Sequence, residues 1–343
     1  MDAFYVNVHL LDYPADRGQP LVVGGAPEQR GVVSSASYEA RQFGVRSAMP
    51  TAIALRLVPR LKIVAPDWPR IRESSQRVMA VLEQYGPLEQ ISVDEAYIDL
   101  SAAADPVAIA GEVRERVPAE TELPASVGLA TSKLVAKIAS DHNKPRGLTI
   151  VMPGDEAAFL APLPARVIWG IGPRTAERLA ALELTTCGEL AAADPDTLQR
   201  AFGREALNMI RRARGEDDRP VETARGPAKS ISQEWTFSRD VGDPGVLWKY
   251  LEKMSDDVAA QLRKNNLLAH TVRVKFRWSD FTTFTRQRSL DVGTDEAAII
   301  RRLAEAIFRE NWPVGRPVRL LGVAATSLVE GEGRQLGLFG EDS

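Results

Sequence analysis

Cysteine and histidine are nearly absent from this chain: among 343 residues there is one thiol, Cys187, and three imidazoles, His9, His142 and His270. A single cysteine excludes an intramolecular disulfide. With so few histidines, neither a CxxC nor an HExxH zinc pattern can be assembled, so any metal would be held by oxygen. Long apolar runs are also missing. No window reaches the ~18 uninterrupted apolar residues of a membrane span. The first twenty residues carry Asp2, Asp12, Asp16 and Arg17 where a signal peptide needs an apolar stretch, and the reading is a cytoplasmic protein. An excess of charge of one sign is lacking too. A net charge of −3 excludes a uniformly basic coat for nucleic acid but leaves a local basic face open. What is present is the composition of a globular protein, 44% hydrophobic and 26% charged, which excludes a collagenous or largely disordered chain. The length predicts roughly two to four folding units.

Residues 1 to about 160 mix short apolar strands (19–25, 31–35, 91–100) with helical stretches, an α/β unit. Pro162-Leu163-Pro164 breaks that pattern, and residues 165–218 read as short helices separated by Gly and Asp-Pro signals. From Arg219 to Lys229 a polar stretch with Pro and Gly reads as a linker tethering a mobile domain. Beyond it the order is strand (230–237), helix (about 244–265), strands (271–278 and 282–290), helix (about 295–310) and strand (317–328), the βαββαβ order of a ferredoxin-like split. Leu247, Leu251, Met254, Val258 and Leu262, at spacings of three and four, give its first helix one buried stripe. The last dozen residues are Gly-rich and acidic, a tail with one apolar cluster.

In Ser92-Val93-Asp94-Glu95-Ala96-Tyr97-Ile98-Asp99, two adjacent acids interrupt strand-forming residues, the pattern of a tight turn between strands. At a turn both carboxylates can approach one locus, as phosphoryl transfer with Mg²⁺ requires; a solvated acidic turn is the bland alternative. Tyr38-Glu39-Ala40-Arg41-Gln42-Phe43-Gly44-Val45 opens a helix after the Val33-Ser34-Ser35 strand and places Ser35, Tyr38 and Arg41 near a helix start that favours anions. The run from Ser126 to Gly147 reads strand, turn, helix, loop, and ends with Lys144 in a Pro-Gly-bounded loop. Either segment taken alone also fits a surface helix with ordinary charges.

Taken in order, Met1-Asp2-Ala3-Phe4-Tyr5, Ser37 through Val45, Ser92 through Tyr97, and Ala136-Lys137-Ile138-Ala139-Ser140 through Lys144-Pro145 resemble the motifs of Y-family, translesion DNA polymerases of the DNA polymerase IV branch. The resemblance runs over nearly the whole chain. It implies an α+β right-hand polymerase: palm and fingers over 1–160 (fingers roughly 11–70), a small helical thumb over 161–218, a linker at 219–229, a ferredoxin-like βαββαβ little finger over 230–329 and a tail from 330. It also implies that Asp94 and Glu95 are metal-binding catalytic carboxylates for two Mg²⁺ ions, and that Ser35, Tyr38, Arg41 and Lys144 contact the triphosphate of an incoming deoxynucleotide. Tyr5 falls at the steric gate against a ribose 2′-hydroxyl. Read without the family, Phe4 and Tyr5 would be core aromatics. The family's first motif carries an Asp before the Met that aligns with Met1, at the end of an apolar strand at the palm's centre. The expectation is that translation begins upstream and restores that carboxylate. The alternative is a protein crippled in metal binding, with Asp2, alternating along the strand, as a partial substitute.

Outside that motif set, Trp169-Gly170-Ile171-Gly172-Pro173-Arg174-Thr175-Ala176 resembles a helix-hairpin-helix, in which Gly170 and Gly172 let main-chain N–H groups approach a DNA phosphate; a plain helix connection is the alternative. In Thr271 through Trp278, Val272, Val274, Phe276 and Trp278 alternate with Arg273, Lys275 and Arg277. With Arg286, Arg288 and Arg319 on neighbouring strands, the expectation is one basic sheet face for primer-template DNA, against a solvated edge strand. In the tail, Gln335, Leu336, Leu338 and Phe339 resemble the peptide by which bacterial polymerases dock on the sliding clamp, unless the tail folds back on its own domain. The leading reading is a monomeric, low-fidelity, template-directed DNA polymerase. A catalytically weak DNA- and clamp-binding factor is the second reading, and a helix-hairpin-helix DNA-binding protein without polymerase function the third.

Overall fold

The computed structural model describes residues 1–224 and 226–331. Two compact units emerge: Met1–Gly25 with Val32–Arg225, and Ala26–Gly31 with the chain from Gly226.

The first unit opens with a correction. Met1–Ala3 are not a strand: Ala3 sits in the left-handed region (φ 41°) and leads straight into helix α1 (Phe4–Asp12), which buries Phe4, Val6 and Val8. Strand alternation therefore does not govern where Asp2 points. Strand β1 (Leu21–Gly24), buried throughout, pairs antiparallel with β2 (Val33–Ala36), which is followed by α2 (Tyr38–Gln42) and α3 (Thr51–Leu57); β1 also pairs parallel with β3 (Lys62–Val64). The Ser37 hydroxyl caps α2 by accepting from the Ala40 amide at 3.2 Å.

Helix α4 (Trp68–Leu82) follows, capped by Asp67. Strands β4 (Leu88–Gln90) and β5 (Ala96–Ile98) then form an antiparallel hairpin, and the amides of Ile91 and Ser92 both donate to the Glu95 carbonyl, closing the tight turn predicted there. After helix α5 (Pro106–Thr121), β6 (Val127–Leu129) pairs parallel with β7 (Leu148–Ile150) across helix α6 (Lys133–His142). Gly128 makes the α6 contact possible: a Cβ there would strike the Ala136 carbonyl oxygen and the Ser140 amide nitrogen, so only glycine lets the helix lie directly on β6. Among the described residues neither β5 nor β6 has a second strand partner, and both line one mostly apolar cavity of about 170 Å³.

Helix α7 (Glu156–Leu160) comes ahead of the range read as helical, and the short helices that the Gly and Asp-Pro signals predicted follow: α8 (Pro173–Ala180), α9 (Cys187–Ala191), α10 (Pro195–Phe202) and α11 (Ala206–Ala213). They share a core of Leu160, Ile168, Leu179, Leu190, Leu198 and Ile210. Cys187 is fully buried there, and burial pushes its thiol up to about 11, so it is chemically quiet. The polar stretch that follows is not a free tether at its start. Asp217 takes the Leu134 amide at the head of α6 and pairs with Arg219 at 2.6 Å, while the Glu222 amide donates to Glu89 at 2.8 Å. Few apolar residues are needed to fix a segment whose own polar groups find partners.

The second unit has the predicted βαββαβ order: β8 (Ser230–Val241), α12 (Pro244–Lys264), β9 (Leu267–Trp278), β10 (Thr283–Thr294), α13 (Ala297–Asn311) and β11 (Val318–Glu330). The sheet order is β10-β9-β11-β8, so each helix joins two strands that have a third between them. The predicted stripe of α12 is buried from Leu247 to Leu262, packed with α13 against Val272, Val274 and Phe276.

Candidate active site

The hairpin turn fixes the two acids by hydrogen bonds rather than by burial. Asp94 Oδ1 accepts from the Ser92 hydroxyl at 2.8 Å, the Ser92 oxygen accepts from the Asp94 amide at 3.2 Å, and Glu95 stands 3.0 Å from the Lys137 ammonium on α6. The Met1 amine donates to the Asp94 carbonyl at 2.8 Å. Burial, with Lys144 nearby, lowers that amine below its ordinary value, although Asp94, Asp2 and Glu95 pull the other way.

Elements distant in sequence close on this turn. A cleft of about 310 Å³ is lined by Tyr5 from α1, Ser35 from β2, Arg41 from α2, Asp94 and Glu95 from the hairpin and Lys144 from the loop after α6. Six of the seven residues singled out for catalysis and nucleotide contact thus share one cavity. Tyr38 is not among its lining residues: its hydroxyl is buried without a hydrogen-bond partner, and its ring lies 4.7 Å beneath the Arg41 guanidinium. Burial raises the Tyr38 phenol, helped by Asp2. Burial and then Asp94 raise that of Tyr5. Arg41 Nε donates to the Ala36 carbonyl at 3.0 Å, which sets its fork at the cleft. Sequence reasoning missed Trp68, whose ring meets Tyr5 edge-on at 5.7 Å in the same cleft. Its one signal was an aromatic behind a helix cap, Asp67-Trp68-Pro69.

Asp2 is not a partial substitute for a catalytic acid. It is fully buried, and its carboxylate takes the Ser126 hydroxyl at 2.9 Å on both oxygens and the Arg146 amide at 2.7 Å. That binds the chain's start to β6 and to the loop carrying Lys144.

The donor set near the cleft is all oxygen and suits a hard cation: Mg²⁺ is commonly held by one or two carboxylates together with substrate phosphates. Asp94 and Glu95 are two carboxylates that line the cleft. Among the described residues no group of three or more His, Cys, Asp or Glu could hold a metal. Lys137 and Lys144 share Asp141, at 2.7 and 2.8 Å. Burial opposes its ionisation, yet both lysines together hold the Asp141 carboxyl below its ordinary value.

In the helical region, Gly170 takes φ +97° and Gly172 precedes α8, but a single short 3₁₀ turn at Ala165–Val167 stands where a hairpin's first helix was expected. Trp169, just before Gly170, is 71% exposed. In the second unit the register corrects the single basic face. Arg273, Lys275 and Arg277 pair with Gln287, Thr285 and Thr283 on the face away from the helices. Arg286 and Arg288 pair with Val274 and Val272 and so lie on the helix side. Arg288 forms an ion pair with Glu310 of α13, and Arg286 stacks over Phe284 at 5.0 Å. Arg319 lies at a register irregularity in β11, over the Phe281 ring at 4.3 Å, its guanidinium lowered by burial and by neighbouring cations that include Arg277. Lys275 is itself paired with Glu234 at 2.8 Å, over Gly322, whose missing side chain leaves the room. The clamp-like residues Gln335, Leu336, Leu338 and Phe339 lie outside the described residues.

No helix among the described residues is long and apolar enough to cross a membrane. Residues 1–141 match the model of the impB/mucB/samB family, and residues 228–338 match that family's C-terminal domain. The chain is 43% identical to the DNA polymerase IV of Methanoculleus marisnigri over 98% of this chain and 94% of that protein. It is 40% identical to that of Alkalilimnicola ehrlichii, over 99% and 97%. Among solved structures, a Y-family DNA polymerase chimera superposes with a TM-score of 0.84 at 25% identity, covering 96% of this chain and 98% of the other. DinB from Sulfolobus solfataricus gives 0.64 with the same coverage. The fold is accordingly the right-hand α+β architecture with α/β palm and fingers, helical thumb and βαββαβ little finger, and the chain belongs to the Y-family DNA polymerases of the DNA polymerase IV branch, as a DNA-directed DNA polymerase for translesion synthesis.

Proposed function

We propose that the chain is a low-fidelity polymerase that copies primer-template DNA by attack of the primer 3′-hydroxyl on a deoxynucleoside triphosphate at the cleft between the β4–β5 turn and α2. One observation carries this reading: carboxylates Asp94 and Glu95 line the same cavity as the cations Arg41 and Lys144, with the Ser35 hydroxyl beside them. Arg41 presents a planar fork and Lys144 a point charge, complementary ways of holding triphosphate oxygens. Asp94 and Glu95 would hold Mg²⁺, which when bound neutralises triphosphate charge. The pair suffices for one ion; the second ion implied by the family needs a further carboxylate. The Tyr5 ring, braced edge-on by Trp68, is the wall against which a 2′-hydroxyl would collide. The DNA contacts on this reading are Arg273, Lys275 and Arg277 of the open sheet face, Arg319 at the irregularity of β11, and the Gly170–Gly172 turn. The assignment of 1–160, 161–218, 219–229 and 230–329 to palm and fingers, thumb, linker and little finger belongs to the same proposal. So do a monomeric cytoplasmic protein and clamp docking through residues 335–339.

A second reading, a DNA- and clamp-binding factor of weak catalysis, is favoured by the absence of a three-carboxylate cluster among the described residues. Primer extension with MgCl₂ on undamaged and lesion-bearing templates separates the two. Asp94→Asn should lower incorporation by about 100-fold or more, as loss of charge stabilisation at a reacting phosphate does. Equal incorporation by the variant would overturn the assignment of the carboxylate turn.

A further inference from the structure

Helix α6 presents Lys137 and Asp141, one turn apart, to the carboxylate turn. Lys137 Nζ stands 3.0 Å from Glu95 Oε1 and 2.7 Å from Asp141 Oδ2, and Lys144 Nζ stands 2.8 Å from Asp141 Oδ1. From the hairpin to the loop after α6 the charges alternate: Glu95, Lys137, Asp141, Lys144. A solvated Lys–Asp pair four residues apart on a helix contributes little to stability. This one differs in that Lys137 reaches across to another element, and its side chain is only 31% exposed. The spacing is fixed from beneath, because Gly128 seats the backbone of Ala136 and Ser140, on either side of Lys137, directly on β6. Glu95 has several rotatable bonds, and a charge-assisted hydrogen bond from a fixed donor selects one arrangement of them.

We propose that Lys137 is a positioning residue for the polymerase reaction: it holds the Glu95 carboxylate in place, and Asp141 divides its charge between Lys137 and Lys144. The proposal rests on the reading of Asp94 and Glu95 as the cation-binding acids. It has two consequences of opposite sign. Removing the Lys137 charge takes a competing cation away from Glu95, so the protein binds Mg²⁺ more tightly. Removing the same bond frees the carboxylate to wander, so turnover falls. A residue that merely packs would weaken folding and metal binding together.

The test uses the full chain with Lys137→Met, which keeps the apolar stem, and Lys137→Arg, which keeps the charge. Mg²⁺ binding to the protein alone is measured by calorimetry, beside melting temperature and the kcat and KM of primer extension. Lys137→Met should bind Mg²⁺ about threefold more tightly, the size expected of one screened charge a few ångströms away. It should lower kcat about tenfold with KM nearly unchanged, as misplacement of a reacting group does, and Lys137→Arg should recover most of that loss. Unchanged or weaker Mg²⁺ binding by Lys137→Met, or an unchanged kcat, overturns the proposal. If Glu95→Gln leaves the Mg²⁺ affinity of the parent untouched, the assignment of the carboxylates fails first, and this inference with it.

Discussion

Both carboxylate oxygens of the fully buried Asp2 accept from the single hydroxyl of Ser126, each at 2.9 Å. Replacing Asp2 by Ala removes the acceptor of that hydroxyl's proton and of the Arg146 amide, leaving Ser126 only the bond it accepts from the Gly147 amide. A buried polar group left without a partner costs about 1–3 kcal/mol, so Asp2→Ala should unfold at clearly lower denaturant concentration, while Asp2→Asn, which keeps an acceptor, should lose less. Equal midpoints for parent and Asp2→Ala would contradict the assignment.

Gly128 offers a sharper test of how the site is held. A methyl group there meets backbone, which cannot rotate away, and overpacking of that kind costs about 1–3 kcal/mol or more. Gly128→Ala should lower stability and also activity, since α6 carries the residues that face the carboxylate turn. A control at Gly111, where an added Cβ meets nothing within 4 Å, should leave activity intact and raise stability slightly by favouring helix.

The two faces of the second unit's sheet should separate in DNA-binding experiments. For every phosphate that a protein ceases to neutralise, the slope of log affinity against log salt falls by about 0.9. Arg273→Ala with Arg277→Ala should flatten that slope, whereas Arg288→Ala, on the helix side and paired with Glu310, should leave it near the parental value. A larger change from Arg288→Ala would reverse the face assignment.

Glu189 supplies a pH signature. The amide of Thr186, then the hydroxyl and amide of Thr185, hold its carboxyl at about 2 rather than its ordinary 4.5. A depressed carboxyl contributes stability that is present above the ordinary value and is lost as pH falls through the folded one. The contribution of this helix cap should therefore drain away between about 4.5 and about 2. In Glu189→Gln that part of the pH dependence should vanish; a profile identical to the parent's would show that the cap carries no such linkage.

Much of the site was legible because each part had a local signal. Two acids between strand formers gave the carboxylate turn, the run from Tyr38 after the Val33-Ser34-Ser35 strand gave α2, and alternation in β9 placed Arg273, Lys275 and Arg277 correctly. What failed depends on partners remote in sequence. Arg286 and Arg288 look like their neighbours on β9, yet the strand register, anchored by Phe284 facing the core, turns them toward the helices, where long apolar stems can lie along rings with the charge at the rim. Lys137 and Asp141 stand four residues apart on α6, but the reach of Lys137 to Glu95 depends on an element remote in sequence. Met1–Ala3 read as strand because the family's first motif ends an apolar strand, and nothing in Met1-Asp2-Ala3 itself marks the left-handed turn at Ala3. The polar stretch from Arg219 read as free because its anchors, Asp217 at the head of α6 and Glu89, are not marked by any apolar pattern in the stretch itself.

The cavity that β5 and β6 line bears on how this unit responds to compression. Its lining is mostly apolar, from Val78 and Leu82 through Ile98 to Val113 and Val127, and such a space gives water few partners. Unfolding removes it, so the unfolded chain occupies less volume and hydrostatic pressure favours that state. The first unit is therefore expected to unfold at lower pressure than a variant in which Ala125→Val fills part of the void.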